Sequence, residues 1–251
     1  MIHSSAFWIE HFKQNLKKQR VNWALDPQIT AEEKEAILYS LKAWQLGETS
    51  DGAHLKAAVR KYAKKRGEKD YPAAVDLFIK EEQKHGNNLG YYIDRIGEER
   101  ASHDLGDTLF RKIRYFNTSM ELWTITVIIV ESAAQIFYQA LHDATYCPLL
   151  KSICKDIIID EAHHIKFQNE RLYRIFADKG FYGRAFSVGW YGLLFFGTIH
   201  AIWIGHHKAF KAGGVSKSDF MKKMYYKFFN SLKFCHADQL KREAQAQVVT
   251  A

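Results

Sequence analysis

Residues 78–92 read FIKEEQKHGNNLGYY, and residues 157–167 read IIIDEAHHIKF. Each stretch places a Glu three residues before a His inside an apolar run: Glu82 with His85, and Glu161 with His164. Residues three apart share a face of a helix, so each pair would point the same way. With fifteen Glu and twelve His in 251 residues, somewhat less than one such pair arises by chance. The weight of two pairs therefore depends on the register in which they sit.

That register is helical and faces inward. From Pro72, a favourable first helical position, the apolar seam runs Val75, Phe78, Glu82, His85, Leu89, Tyr92, Ile96, so both motif residues lie on it and Glu81 flanks it. A second helix starts near Pro148 and aligns Leu150, Ile157, Glu161, His164, Gln168 and Leu172. Upstream, Thr30-Ala-Glu-Glu33 has capping-box spacing and opens one long helix predicted to reach about Arg66. Its seam carries Leu38, Leu41, Gln45, Glu48, Gly52, Leu55, Val59 and Tyr62, while Asp51, one turn after Glu48, is the competing carboxylate. A further helix, predicted over 107–143, aligns Ile113, Phe116, Met120, Val127, Glu131, Ala134 and Tyr138, and Glu131 interrupts an apolar run from within.

Antiparallel helices bring residues to one level only when those residues are equidistant from the connecting turn. The midpoint of Glu131 and Glu161 is Tyr146, beside Cys147-Pro148, and the midpoint of Glu48 and Glu82 is Lys65, beside Arg66-Gly67. Both midpoints fall at predicted turns. Glu48, Glu82, Glu131 and Glu161 with His85 and His164 are thereby expected at one depth of a four-helix bundle. Several unpaired carboxylates in a core would protonate rather than stay charged. Two divalent cations would offset four negative charges and bond two neutral imidazoles, and mixed oxygen and imidazole ligation suits iron or manganese. Glu81 and Asp160 each precede a candidate ligand Glu, and are expected to hydrogen-bond the outer nitrogens of the two histidines.

Composition frames the same reading. The chain is 47% apolar and 14% aromatic, has only three prolines and lacks sustained alternation of apolar and polar residues, which points to an all-helical domain with a sizeable core. The expected layout is an N-terminal helix and linker over 1–29, a metal-binding bundle over 30–179, further helices over 180–245 and a frayed tail over 246–251. Cys147, Cys154 and Cys235 form no Cys-x-x-Cys pair, so neither a rubredoxin-like site nor a paired disulfide framework is expected. With an N-terminal stretch that is amphipathic rather than secretory in pattern, the expected setting is cytoplasmic.

Residues 166–251 hold fourteen Lys/Arg against five Asp/Glu, so the net charge of +8 belongs to the C-terminal third. A solvated basic face is the simple reading; an acidic carrier protein, lipid headgroups or nucleic acid are the partners it would otherwise suit. Ser187–Gly205 is an apolar stretch of nineteen residues, near the length that spans a bilayer. Its central His200 and its glycines favour a helix packed on the bundle, with membrane association the alternative. Beyond it, Ser216-x-x-Asp219 opens an amphipathic helix carrying Phe220, Met224, Phe228 and Leu232. His163, His200, His206 and His207 share no spacing with carboxylates and are read as surface or packing residues, and Gln45, Gln135 and Tyr138 as packing residues near the site.

A Glu from each of two helices plus Glu-x-x-His from the other two is the ligand pattern of ferritin-like di-metal carboxylate proteins. The chain resembles that superfamily over about 30–179, and its EEQKHG and DEAHH are similar to the motifs of soluble acyl-carrier-protein desaturases. Lys84 and His163 stand where those motifs carry Arg. Ribonucleotide reductase radical subunits are similar in layout but place a Tyr seven residues after the first motif's Glu; here that residue is Leu89, which argues against them. The resemblance implies an all-α ferritin-like bundle holding two iron ions, or Mn/Fe or Mn/Mn. It also implies an oxidase or oxygenase using O2 and an external electron donor to hydroxylate, desaturate or N-oxygenate a small or carrier-bound organic substrate, in a chain that could pair as a homodimer. A rubrerythrin-like peroxidase, a ferroxidase or an iron-binding protein is the alternative. A metal-free nucleic-acid-binding protein would explain the charge but not the inward carboxylates.

Overall fold

Side-chain caps open three of the helices in the computed structural model, which describes residues 2–103 and 119–236. Helix α1, Ser5–Leu16, is capped by Ser4, whose hydroxyl accepts from the Phe7 N–H. Helix α2, Ala31–Glu48, begins with the reciprocal Thr30/Glu33 box. After α3, Ala53–Arg66, and α4, Tyr71–Arg95, come α5, Met120–Asp143, and α6, Pro148–Ala177. Helices α7, Phe181–Ala212, and α8, Lys217–Leu232, follow, with a short 3₁₀ turn at Lys233–Cys235. No strand occurs among the described residues.

Helices α2, α4, α5 and α6 form the bundle, with α5 and α6 the most extensively packed pair. Their shared core includes Ile37, Leu41, Val75, Leu89, Ile128, Phe137, Leu141, Ile153, Ile157 and Leu172, all essentially inaccessible. Burying each such side chain is worth roughly 1.5–3 kcal/mol relative to exposure. Helix α1 lies along α4 through Trp8, Phe12 and Asn15. The outer pair, α7 and α8, covers α5, and α7 also reaches α2.

One expectation is corrected. The helix predicted from Thr30 to Arg66 is two helices, α2 and α3, separated by residues 49–52. Gly52 adopts φ +65°, a conformation that ends helical propagation and that side-chain-bearing residues rarely adopt. The short polar side chains before it supply local bonds instead: the Ser50 hydroxyl accepts from Gly52 N–H, and the Asp51 carboxylate accepts from Ala53 N–H at 3.0 Å. A Cβ on Gly52 would also collide with Ile79. Gly67, at φ +70°, then makes the turn foreseen beside Arg66.

The start predicted near Asp107, with Ile113 and Phe116, lies outside the described residues, as does the segment from 237 through the expected tail. Ser216 caps α8 as expected, accepting from Asp219 N–H. The nineteen-residue apolar stretch is the middle of α7, and one face of it does pack on the bundle. Ser187, Tyr191, Phe195, Ile199 and Trp203 are buried, whereas Phe186, Trp190, Leu193, Phe196 and Ile204 are exposed.

Candidate metal centre

Each bundle helix delivers acidic or imidazole side chains to one level. Glu48 is the last residue of α2, Glu82 and His85 lie on α4, Glu131 on α5, and Glu161 and His164 on α6. The six form two overlapping quartets, Glu48–Glu82–His85–Glu161 and Glu82–Glu131–Glu161–His164, and within each quartet one potential ligand atom per residue lies within 4.8 Å of the others. Glu82 and Glu161 belong to both quartets, as residues bridging two ions would. Asp51, the competitor of Glu48, is exposed and accepts from Ala53 N–H at the start of α3. Gly86, immediately after His85, permits the close approach of α4 to the end of α2, because a Cβ there would press on Glu48 and Thr49.

The histidines are held from behind in a crossed pattern. His85 Nε2 lies 3.1 Å from Asp160 of α6, and His164 Nε2 lies 2.9 Å from Glu81 of α4. Each imidazole is thus fixed by the carboxylate that precedes the motif Glu of the other helix. With Nε2–H donating outward to these carboxylates, a neutral ring would leave its Nδ1 lone pair facing the centre. His85 Nδ1 is 3.7 Å from Glu161, while His164 Nδ1 is 2.7 Å from Glu82 and 3.4 Å from Glu161.

Helix α1 completes this support. The Asn15 amide donates to Glu81 at 2.8 Å and to Asp160 at 2.7 Å, tying both carboxylates together. Arg20 donates to Asp160 at 2.9 Å and also to Asn15 and Asp156, and Lys84 reaches Asp156 at 3.2 Å. Sequence reasoning missed Asn15, Arg20, Lys84 and Asp156 as parts of this network. A signal existed for Asn15: Trp8, Phe12 and Asn15 fall at i, i+4 and i+7, which puts the amide on the apolar seam. Tyr138, read as packing, also donates its hydroxyl to Glu48 at 2.7 Å. Gln45 donates to the Gly86 carbonyl, and Gln135 accepts from Lys227.

Electrostatics distinguishes the centre from its supports. Burial, reinforced by the neighbouring Glu82 charge, raises the Glu48 carboxyl well above its ordinary range, and burial with Glu131 does the same to Glu161. Burial also raises Glu131. Burial would lower both histidines, but it is outweighed at His164 by Glu82, Glu161 and Glu81, and at His85 by Asp160, Glu82 and Glu48; both are raised. Asp160 moves the other way: despite burial, its bonds from His85 and Asn15 and the Lys84 charge depress it. The supporting carboxylate is stable as an anion on protein partners alone, whereas the central ones lack sufficient positive charge.

The donor atoms fit a pair of cations. Glu82 Oε1, His85 Nδ1, both Glu161 oxygens and His164 Nδ1 are buried without a hydrogen-bond partner, although unpaired buried polar atoms are rare. All converge on the shared region of the two quartets. Beside it is a cavity of about 100 Å³ bounded by Glu48, Glu82 and Glu131, with Phe78, Ile79, Trp123 and Val127 as apolar walls and Ser50–His54 toward the surface. The other histidines stand apart. His163 packs on the His11 ring at 4.4 Å, His200 and His207 bond carbonyls of α7, and His206 contacts Ser40.

No protein-family model matches the chain, and no curated sequence matches it. Solved structures do. A tyrosine-to-phenylalanine variant of an R2-like ligand-binding oxidase with anaerobically reconstituted Mn/Fe cofactor superposes with a TM-score of 0.67 at 17% identity, covering 92% of this chain and 93% of its own. A second tyrosine-to-phenylalanine variant, reconstituted aerobically, gives 0.65 at 16% identity, and an alanine-to-phenylalanine variant gives 0.63 at 18%, both over the same shares of the two chains. The desaturase resemblance stays confined to the two local motifs. The chain has the ferritin-like helical fold of these oxidases across nearly its whole length.

Proposed function

We propose that the chain is a two-metal oxidase that reduces O2 at a centre held by Glu48, Glu82, His85, Glu131, Glu161 and His164. The observation that carries this reading is the pair of quartets sharing Glu82 and Glu161, with five buried donor atoms unsatisfied by protein partners. Two iron ions fit the donor set; Mn/Fe fits equally, and is the cofactor carried by the oxidases of like fold. Bound there, the metals would supply the redox chemistry that carboxylates and imidazoles lack.

The protein's own part is positioning. Asp160 and Glu81 fix the tautomer and orientation of His85 and His164, and Asn15 with Arg20 keeps the two carboxylates in place. Tyr138 orients Glu48. The Glu82 side chain, 17% exposed, borders the cavity and marks the side from which small molecules approach. Electrons come from an external donor, since the three cysteines are buried and dispersed and provide no Cys-x-x-Cys relay.

Metal content per chain, followed by O2 consumption with a chemical reductant, tests the reading. Wild type is expected to hold about two ions of iron or manganese, and Glu82→Ala with Glu161→Ala to lose both, with O2 uptake at least about a hundredfold lower. A folded wild type that stays metal-free after anaerobic loading with iron and manganese overturns it. The small cavity also favours a second reading, a ferroxidase or peroxidase acting on iron or peroxide rather than an organic molecule. Turnover of ferrous iron or peroxide with no organic cosubstrate would select it; stoichiometric hydroxylation, desaturation or N-oxygenation of an added compound would select the oxygenase.

A further inference from the structure

Helix α7 exposes a continuous apolar stripe. Phe186, Trp190, Leu193, Gly197, His200 and Ile204 recur at helical spacing on its outer face, and from Ala185 to His207 no residue is charged. From Phe181 to Ile204 this face is about 35 Å long. It widens onto α8 through ring contacts, Phe196 with Tyr225 at 5.6 Å and Tyr225 with Phe229 at 6.4 Å. Phe186 is 79% exposed and Leu193 66%, which a surface left in water does not favour.

Charge gives the face its partner. The α7 stripe runs directly into exposed Lys208 and Lys211, and the exposed side of α8 carries Lys222 and Lys223 around Tyr226 and Phe229, with Lys233 just past its end. Over residues 180–236 there are eight Lys/Arg and one acid, Asp219. A second copy would bring two strongly basic surfaces together, which is unfavourable. A protein partner would need polar groups to register against, and the stripe offers almost none. Aromatic and aliphatic side chains bordered by lysines are what an anionic bilayer surface binds, the rings entering the headgroup region and the lysines meeting lipid phosphates.

We propose that α7 and α8 seat the protein on an anionic lipid surface, with α7 lying in the interface rather than crossing it. The opposite face of α7 is already committed. Phe195 stacks on Phe228 at 4.1 Å, Trp203 packs on Phe220 at 5.6 Å, and Ser187 donates to Glu121 at 2.7 Å. Crossing the bilayer would strip all of these contacts, whereas lying on it removes none. This inference stands independently of the metal centre.

Co-flotation of the full chain with vesicles tests it. Wild type is expected to float with mixed phosphatidylcholine and phosphatidylglycerol vesicles, about tenfold less with phosphatidylcholine alone or at high salt, and to be released by alkaline carbonate. Phe186→Glu with Leu193→Glu should lower the bound fraction about tenfold while metal content and Tm hold. Lys222→Glu with Lys223→Glu should abolish only the preference for anionic lipid. Absence of flotation, flotation unchanged by either pair, or resistance to carbonate overturns the proposal. So does a dimer, or a complex with an acidic carrier protein, that the first pair dissolves while vesicles bind nothing.

Discussion

Helices α5 and α7 have the same mean hydropathy over their most apolar windows, yet 72% of that window is buried in α5 and 22% in α7. Composition alone would assign them one environment. The difference lies in how many faces of each meet the rest of the fold. Helix α5 is packed on most of its surface and carries Glu131 into the candidate metal centre, among the other inward carboxylates and imidazoles. Helix α7 carries large side chains on both faces: Tyr191, Phe195, Ile199 and Trp203 pack inward beside Ser187, whereas Phe186, Trp190, Leu193, Phe196 and Ile204 face out. Apolar content alone therefore does not tell an enclosed helix from a one-sided one; what separates them is how many faces meet the rest of the fold.

The strongest way to break the comparison is to truncate the same ring in both helices. Phe137 of α5 is fully buried and stacks on Trp44 at 4.7 Å. Phe137→Ala should destabilise the fold by roughly 3–5 kcal/mol, read from urea unfolding. If it costs no more than Phe186→Ala on α7, the burial contrast is not an energetic one.

Next in size is the joint between the two helices. Glu121 at the start of α5 accepts from Lys179 at 2.6 Å and from Ser187 and Tyr191 of α7. Burial would raise its carboxyl, but the bonds from Lys179, Tyr191 and Ser187 outweigh burial and depress it below the usual range. A depressed folded value means the anion stabilises the fold at pH above the ordinary carboxylate value and that this stability is lost as pH falls through the folded value. Glu121→Gln should therefore cost roughly 1.5–3 kcal/mol at neutral pH, with the gap from wild type closing in acid. A gap independent of pH would show that α7 is held by ring packing alone.

The candidate metal centre was more legible in sequence than the outer helices α7 and α8. Glu82, His85, Glu161 and His164 announce themselves by spacing, and Glu48 and Glu131 by register and distance from turns. Physical symmetry of antiparallel helices makes that possible, because the ligands must share one level. The break after Glu48 was not read, since the i, i+3, i+4 pattern passes through Gly52 without interruption and only the backbone angle reveals the stop. Asn15 and Arg20 were missed for a different reason: the apolar period turns Asn15 inward, but the carboxylates that the two residues hold lie 66 to 145 residues away in the chain, and no local period names such partners. Gly52→Ala sharpens this point. With φ at +65° and Ile79 in contact, it should lower stability by about 1–2 kcal/mol and disturb the seat of Glu48, read as weaker metal retention.

The smallest expected effect is the most pointed test of α7. Leu193 is 66% exposed, and its neighbours on that face are themselves exposed, so Leu193→Ser removes little buried area. Surface changes of this kind stay within about 0.5 kcal/mol. Unfolding of Leu193→Ser should superimpose on wild type in lipid-free buffer, while an equally apolar-to-polar change at Ile128 of α5 should not fold comparably. A marked loss of stability at Leu193 would mean that the outer face is covered within the protein itself, and that the ring stripe of α7 belongs to a larger core. Equal Tm values would leave the apolar face of α7 without a role in holding the chain together, so that its rings must be explained by what they meet outside it.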